Sequence, residues 1–298
     1  MPVNDELGKR MKSYYEQIPK TKLMRRTPVM IRIDGKAFHT YTKGFARPFD
    51  DILIKTMQET TKYLCENIQG CVLGYTQSDE ITLVLVDYQK LDTSAWFDYE
   101  VQKMCSVAAS MATMAFNRIF QDNVDLAYQG EFYELGLDNE ADFDSPEEYS
   151  LKLQSLEEKY DVYYEKINQA MFDARVFNIP KEEVTNCIYW RQLDAARNSI
   201  QMVGQAYFSH KELNRQNCSN IQDMLVEREG INWNNFPIYQ KRGTCVVRNK
   251  ICEYLEGTEM IVELRDDTKS DNEWIIDKEI PIFKNEAREY IERLIYFD

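Results

Sequence analysis

Three apolar runs bordering two acidic turns constrain this chain more than any other feature. Pro28-Val29-Met30-Ile31-Arg32-Ile33 is apolar and β-branched, and Asp34-Gly35 closes it, so it reads as a strand. Cys71-Val72-Leu73-Gly74-Tyr75 and Ile81-Thr82-Leu83-Val84-Leu85-Val86 read as two more, joined by the turn Gln77-Ser78-Asp79-Glu80 into a hairpin with an acidic tip. Between them Asp50 or Asp51 caps a helix over about 51–68, with Ile52, Ile54, Met57, Thr61 and Leu64 inward. A long helix over about 94–119 and a strand at Phe172–Asn178 complete the pattern. Strand, helix, hairpin, helix and strand predict an α+β fold with a ferredoxin-like βαββαβ unit.

That topology makes the first and third strands neighbours. Asp34 ends one and Asp79 starts the approach to the other, so their carboxylates are expected to meet. Oxygen ligands of this kind, with phosphate oxygens added, suit two or more Mg2+ ions. Glu80 is placed to support or share the site, and Gly35 admits a close backbone approach. Polymerase palms and nucleotidyl cyclases both use such strand tips, so the pair alone does not choose a reaction.

The remaining chain supplies further elements. Residues 5–18 space Leu7, Met11, Tyr14 and Tyr15 as an amphipathic helix. Residues 181–209, after Pro180, form another helix. A β-hairpin over 244–264 and a last helix over 283–297 are expected. The reading divides the chain into a catalytic palm over 1–250, with an acidic surface insertion at about 121–170, and a C-terminal extension over 251–298 packed on the same domain.

Charge and composition limit the function classes. The net charge is −14, unusual for a nucleic-acid partner. The acidity is local, however. Residues 121–170 hold 14 Asp and Glu against 3 Lys and Arg, whereas residues 1–62 hold 13 Lys and Arg against 7 Asp and Glu. A basic face therefore remains available. Seven cysteines without CxxC spacing and two histidines argue against a structural zinc site. No run of about 18 apolar residues spans a membrane, and the first residues lack a signal-peptide core. A cytoplasmic protein without a membrane partner is expected.

Specific motifs then narrow the class. Arg32-Ile33-Asp34-Gly35-Lys36-Ala37-Phe38-His39 with Phe45-Ala46-Arg47-Pro48-Phe49-Asp50 resembles the first motif of the tRNA-histidine guanylyltransferases. Gly74-Tyr75-Thr76-Gln77-Ser78-Asp79-Glu80 resembles the second. Tyr189-Trp190-Arg191-Gln192 and the block from Gly230 to Thr244 are similar to later ones, in family order. The resemblance implies a polymerase-type palm that extends the 5′ end of tRNA in the 3′-to-5′ direction. A nucleoside triphosphate, ATP or GTP, activates the 5′-phosphate, and the 3′-hydroxyl of the incoming nucleotide attacks it. It implies Asp34, Asp79 and Glu80 as catalytic residues, with Mg2+ on Asp34, the Gly35 carbonyl and Asp79. Lys36, Ala37, Phe38 and His39, with Ser78 and Lys103, are implied to hold the triphosphate. Arg191, Gln192, Arg197, Asn198, Lys241 and Arg242 are the candidate tRNA contacts, and a homotetramer is expected.

Two departures from the family pattern matter. Glu100 replaces an arginine that binds phosphate. Ala196-Arg197-Asn198-Ser199 replaces the His-Ile-Asn-Asn of eukaryotic members and resembles the guanylyltransferase-like branch, which repairs 5′-truncated tRNAs. A palm-type cyclase or signalling-nucleotide synthase, and a non-catalytic tRNA-binding module, stay open as alternatives.

Overall fold

The computed structural model describes residues 6–249, 270 and 272–297. Its centre is a sheet in which β1 (Val29–Gly35), β2 (Cys71–Gln77), β3 (Glu80–Leu85) and β4 (Phe172–Asn178) lie in the order β4-β1-β3-β2. All neighbours are antiparallel. Helix α3 (Asp51–Asn67) links β1 to β2, and α4 (Val101–Glu134) links β3 to β4. This is the βαββαβ arrangement the sequence pattern predicts. Strands β5 (Thr244–Arg248) and β6 (Trp274–Asp277) extend the sheet beyond β2.

Both faces of the sheet are covered, so β2 and β3 are wholly buried and mostly apolar, with Thr76, Gln77, Glu80 and Thr82 the polar exceptions. On one face Ile31, Ile33, Ile81 and Leu83 pack with Met57, Leu64, Phe116 and Phe120 of α3 and α4. On the other, Met30, Leu73, Tyr75 and Val84 meet Val184 and Ile188 of α6 (Lys181–Tyr207) and Phe283, Ile291 and Ile295 near the C-terminus. A third cluster joins α6 to α8 (Cys218–Glu229) through Val203, Ile221 and Leu225. Asp50 caps α3 as expected, accepting from the Leu53 amide at 2.8 Å.

Several boundaries differ from the sequence reading. The helix expected over 94–119 starts at Val101, after a tight turn at 96–99 in which Phe97, Asp98 and Tyr99 take positive φ. It then runs on to Glu134, into the acidic stretch. Helix α5 (Pro146–Tyr164) packs back against α4 and buries Leu156, Tyr160 and Tyr163. The acids of this stretch face water while its tyrosines complete the core. Tyr163 donates to Asp50 at 2.6 Å, tying α5 to the cap of α3.

The hairpin expected over 244–264 is corrected: β5 pairs with β2 and with β6, thirty residues on, and most of the expected return lies outside the described residues. The last helix is also shorter than expected. A 3-10 turn at Asn285–Arg288 leads into α10 (Glu289–Glu292), and Phe283, Leu294 and Ile295 are buried around it. At the other end, α1 (Glu6–Met11) and a π turn at Lys12–Glu16 form the expected first helix. Its apolar residues Leu7, Met11, Tyr14 and Tyr15 are all exposed.

Candidate active site

The end of the sheet where β1 stops and β3 starts brings the two predicted carboxylates together. Asp34 lies in register between Glu80 of β3 and Asp173 of β4. A two-residue turn joins β2 to β3, with Ser78 at φ 51°. The Gly35 amide donates to the Asp79 carbonyl at 3.0 Å, which locks that turn to the end of β1. Ser78 Oγ donates to Asp79 Oδ1, also at 3.0 Å. Burial pushes the Asp79 carboxyl above its usual range, and the nearby Asp34 and Glu80 charges push the same way, against the Ser78 hydrogen bond.

A cavity of about 540 Å3 opens above this pair. Asp34, Gly35, Ser78 and Asp79 form its floor, and the loop from Ala37 to Asp50 forms its wall. The loop folds tightly because Ala37 adopts the left-handed conformation and α2 (Phe38–Tyr41) follows at once. The Phe38 and His39 amides open that helix and have no intrahelical acceptor. Lys36 is exposed, and its amide donates to the Met171 carbonyl at 2.8 Å. His39 is exposed on the cavity side. Phe38 serves differently: its ring is buried against Tyr41, Phe116 and Phe172 and anchors the loop from below. A β-carbon on Gly35 would stand 2.3 Å from that ring, so this position requires glycine.

Glu80 has another fate. It is buried and pairs with Arg191 through Nε–Oε1 at 2.6 Å and Nη2–Oε2 at 2.8 Å. Arg32 Nη2 lies 3.0 Å from the same carboxylate, and Arg191 also reaches Asp194 at 2.8 Å. Glu80 therefore braces the strand ends from beneath and does not line the cavity. Three of the expected tRNA contacts are likewise engaged within the chain. Arg191 is held by Glu80. Gln192 is buried between the Pro281 carbonyl and the Phe283 amide. Lys241 is buried and donates to the Asn234 carbonyl. Desolvation makes all three costly to bare to RNA. Of the others, Arg197 is exposed and paired with Asp194, Asn198 is half-buried beside Asp194, and Arg242 is half-buried.

Lys103 is not brought to the carboxylates. Strand β3 leaves the site, so α4 begins at the far end of the sheet, where Glu100 faces Lys20. Thr113, which bonds to Phe172 near the site, is ten residues further along, about 15 Å of helix. Lys103 instead stacks on Phe97. The Glu100 departure accordingly falls outside the cavity.

Two residues near the site escaped the sequence reading. Asp173 sits opposite Asp34, and Arg175 Nη2 lies 3.6 Å from Asp34 Oδ2 and 3.2 Å from Asp173 Oδ1. The signal was present: in Phe172–Asn178 alternate residues face one side, and pairing with β1 puts Asp173 and Arg175 beside Asp34. Among the described residues no three His, Cys, Asp or Glu side chains converge as a ready-made metal cage. Two carboxylates at a cavity floor still fit magnesium, which usually takes one or two carboxylates and completes its shell with water and phosphate.

Comparison with known proteins gives the family. Residues 8–180 match the family model of the tRNAHis guanylyltransferases. A solved bacterial tRNA(His) guanylyltransferase-like protein in complex with ATP is 38% identical, covers 98% of this chain and 100% of its own, and superimposes with a TM-score of 0.72. The enzyme from Saccharomyces cerevisiae is 24% identical over 74% of this chain and 82% of its own length. A protein of Acanthamoeba polyphaga mimivirus is 27% identical over 84% of this chain and 79% of its own. The chain belongs to the tRNA(His) guanylyltransferase family. It is thus a nucleotidyltransferase, and nucleotidyl addition to tRNA in the 3′-to-5′ direction is its reaction class.

Proposed function

We propose that this chain restores 5′-truncated tRNAs in the cytosol, using ATP or GTP and Mg2+, as a homotetramer. The observation that carries the reading is the meeting of Asp34 and Asp79 under one cavity, joined by the Gly35–Asp79 hydrogen bond. Asp34, Asp79 and the Gly35 carbonyl would hold the metal. Bound there, magnesium would activate the attacking oxygen and offset charge on the leaving phosphates.

The chain's own residues position the reactants. In the first step an oxygen of the tRNA 5′-monophosphate attacks the α-phosphorus of ATP or GTP, and pyrophosphate leaves. In the second, the 3′-hydroxyl of the incoming nucleotide attacks the 5′-phosphorus and the nucleoside monophosphate leaves. Lys36, Lys43 and Arg47, on the loop beside the cavity, balance the phosphate charge. The amides of Phe38 and His39 add donors to the same wall, and Ser78 keeps Asp79 oriented.

Repair in preference to identity-setting addition on tRNA-histidine is supported by the bacterial guanylyltransferase-like relatives, solved with ATP and with GTP. Ala196-Arg197-Asn198-Ser199 in place of the eukaryotic histidine motif supports it too. The exposed apolar face of α1 is consistent with assembly. The test uses 5′-monophosphorylated tRNAs shortened by one nucleotide, with labelled triphosphates and Mg2+. Template-matched label on every tRNA is the expected result. Label on tRNA-histidine alone would make the chain an identity-setting enzyme, and cyclic or dinucleotide product without tRNA would make it a synthase.

A further inference from the structure

A second cavity, of about 560 Å3, adjoins the first, and of its lining only Arg47 has a part in the reaction described above. Arg47 and Gln205 line both cavities, so the two are adjacent. Gln201, His210, Asn214 and Arg215 complete the polar wall. The chain has two histidines; His39 faces the first cavity and His210 the second.

Among the described residues Arg25, Arg32, Arg175, Arg191, Arg197, Arg228 and Arg288 stand in ion pairs. Arg47 and Arg215 make none among the described residues. The acid three residues before Arg215, Glu212, is already occupied. Arg228 donates to it at 2.7 Å and Ser209 Oγ at 2.8 Å, and these bonds pull its carboxyl down to about 2. A chain of net charge −14 thus keeps two unneutralised guanidiniums around one polar hollow. Free guanidinium groups suit phosphate. The amides of Gln201, Gln205 and Asn214 offer both donors and acceptors, as base edges require.

The occupant is unpaired nucleic acid. Paired base edges are occupied and a duplex is too broad for such a hollow, whereas unpaired nucleotides can be splayed into one. On a tRNA the unpaired nucleotides next to the 5′ end are those of the 3′ overhang. We propose that this cavity binds a nucleotide of the single-stranded 3′ end of tRNA, holding it beside the 5′ end that lies over Asp34 and Asp79. This rests on the proposed tRNA 5′-end reaction.

The experiment measures binding of the full chain to labelled 5′-truncated tRNA by fluorescence anisotropy. Wild type, Arg215→Ala and Arg215→Lys are each tested against intact tRNA and against tRNA trimmed of its 3′ overhang. Arg215→Ala should bind intact tRNA about tenfold more weakly, and Arg215→Lys should recover most of that loss. On trimmed tRNA the difference between wild type and Arg215→Ala should vanish, and ATP affinity should be the same for all three. Equal binding of intact tRNA by wild type and Arg215→Ala overturns the proposal. So does a loss of equal size on trimmed tRNA, which would place the contact elsewhere. A drop in ATP affinity alone would assign the cavity to a free nucleotide and overturn it as well. Wild type that binds no tRNA would instead overturn the proposed function.

Discussion

Asp79 and Glu80 are neighbours in the chain, yet they belong to two regions with opposite physics. Asp79, with Asp34, floors an open cavity, where its partners are one serine hydroxyl and its own backbone amide. Glu80 lies behind, buried, with two arginines on one carboxylate. In the first region Asp34 has Arg175 beside it, whereas Asp79 has no cationic partner and burial disfavours its ionised form. The second compensates its charge fully and keeps the strand ends in place. In the proposed function the first region takes the cation, while the paired second region holds the strand ends rigid.

The largest effect should come from the cavity floor. Asp79→Asn should lower nucleotide incorporation about a thousandfold or more, about 4 kcal/mol of barrier, when single-turnover rates are compared. Its melting temperature should hold or rise at neutral pH, since burial raises the Asp79 pKa in the folded state. The sign follows from linkage: an acid with a raised folded pKa destabilises above that pKa and stops doing so as pH falls below it. The advantage of Asp79→Asn should therefore shrink in acid. A variant that loses stability instead would place Asp79 with the structural network.

The buried network should answer in the reverse way. Arg191→Met leaves Glu80 with Arg32 alone and should cost about 3–5 kcal/mol in urea unfolding. Adding Glu80→Gln should return part of it, because the uncompensated charge is then gone. No recovery in the double variant would break the contrast between the two regions.

Smaller changes sharpen it. Gly35→Ala forces the Phe38 ring to move, since the new carbon would lie 2.3 Å away. It should cost about 1–3 kcal/mol and raise KM for the triphosphate more than a substitution distant from the loop. Tyr163→Phe leaves the Asp50 carboxylate without one of its hydrogen bonds and should lower stability by about 2 kcal/mol, with incorporation nearly unchanged at 25 °C. A larger fall in activity than in stability would show that α5 also shapes the cavity wall.

Much of this was legible in the chain. The strands announced themselves by β-branched runs, and the α3 cap by Asp50. Interlocking of the two βαβ units made β1 and β3 neighbours, so Asp34 and Asp79 could be placed together before any coordinates. The misplacements share a cause. Arg191, Gln192 and Lys241 look like surface cations and amides on a helix or turn, and charge alone does not say which helical face is buried. Only packing of α6 onto Glu80 and the C-terminal segment decided that. Lys103 was displaced by direction, since a helix following β3 must begin at the end remote from the site.

What the sequence determined by itself was local: periodicity, caps, turns and the residue types at strand ends, all set by interactions among near neighbours. The tertiary structure decided which charges are paired. Ion pairing joins residues as distant as Glu80 and Arg191, 111 positions apart, and depends on desolvation that exists only once the layers have closed.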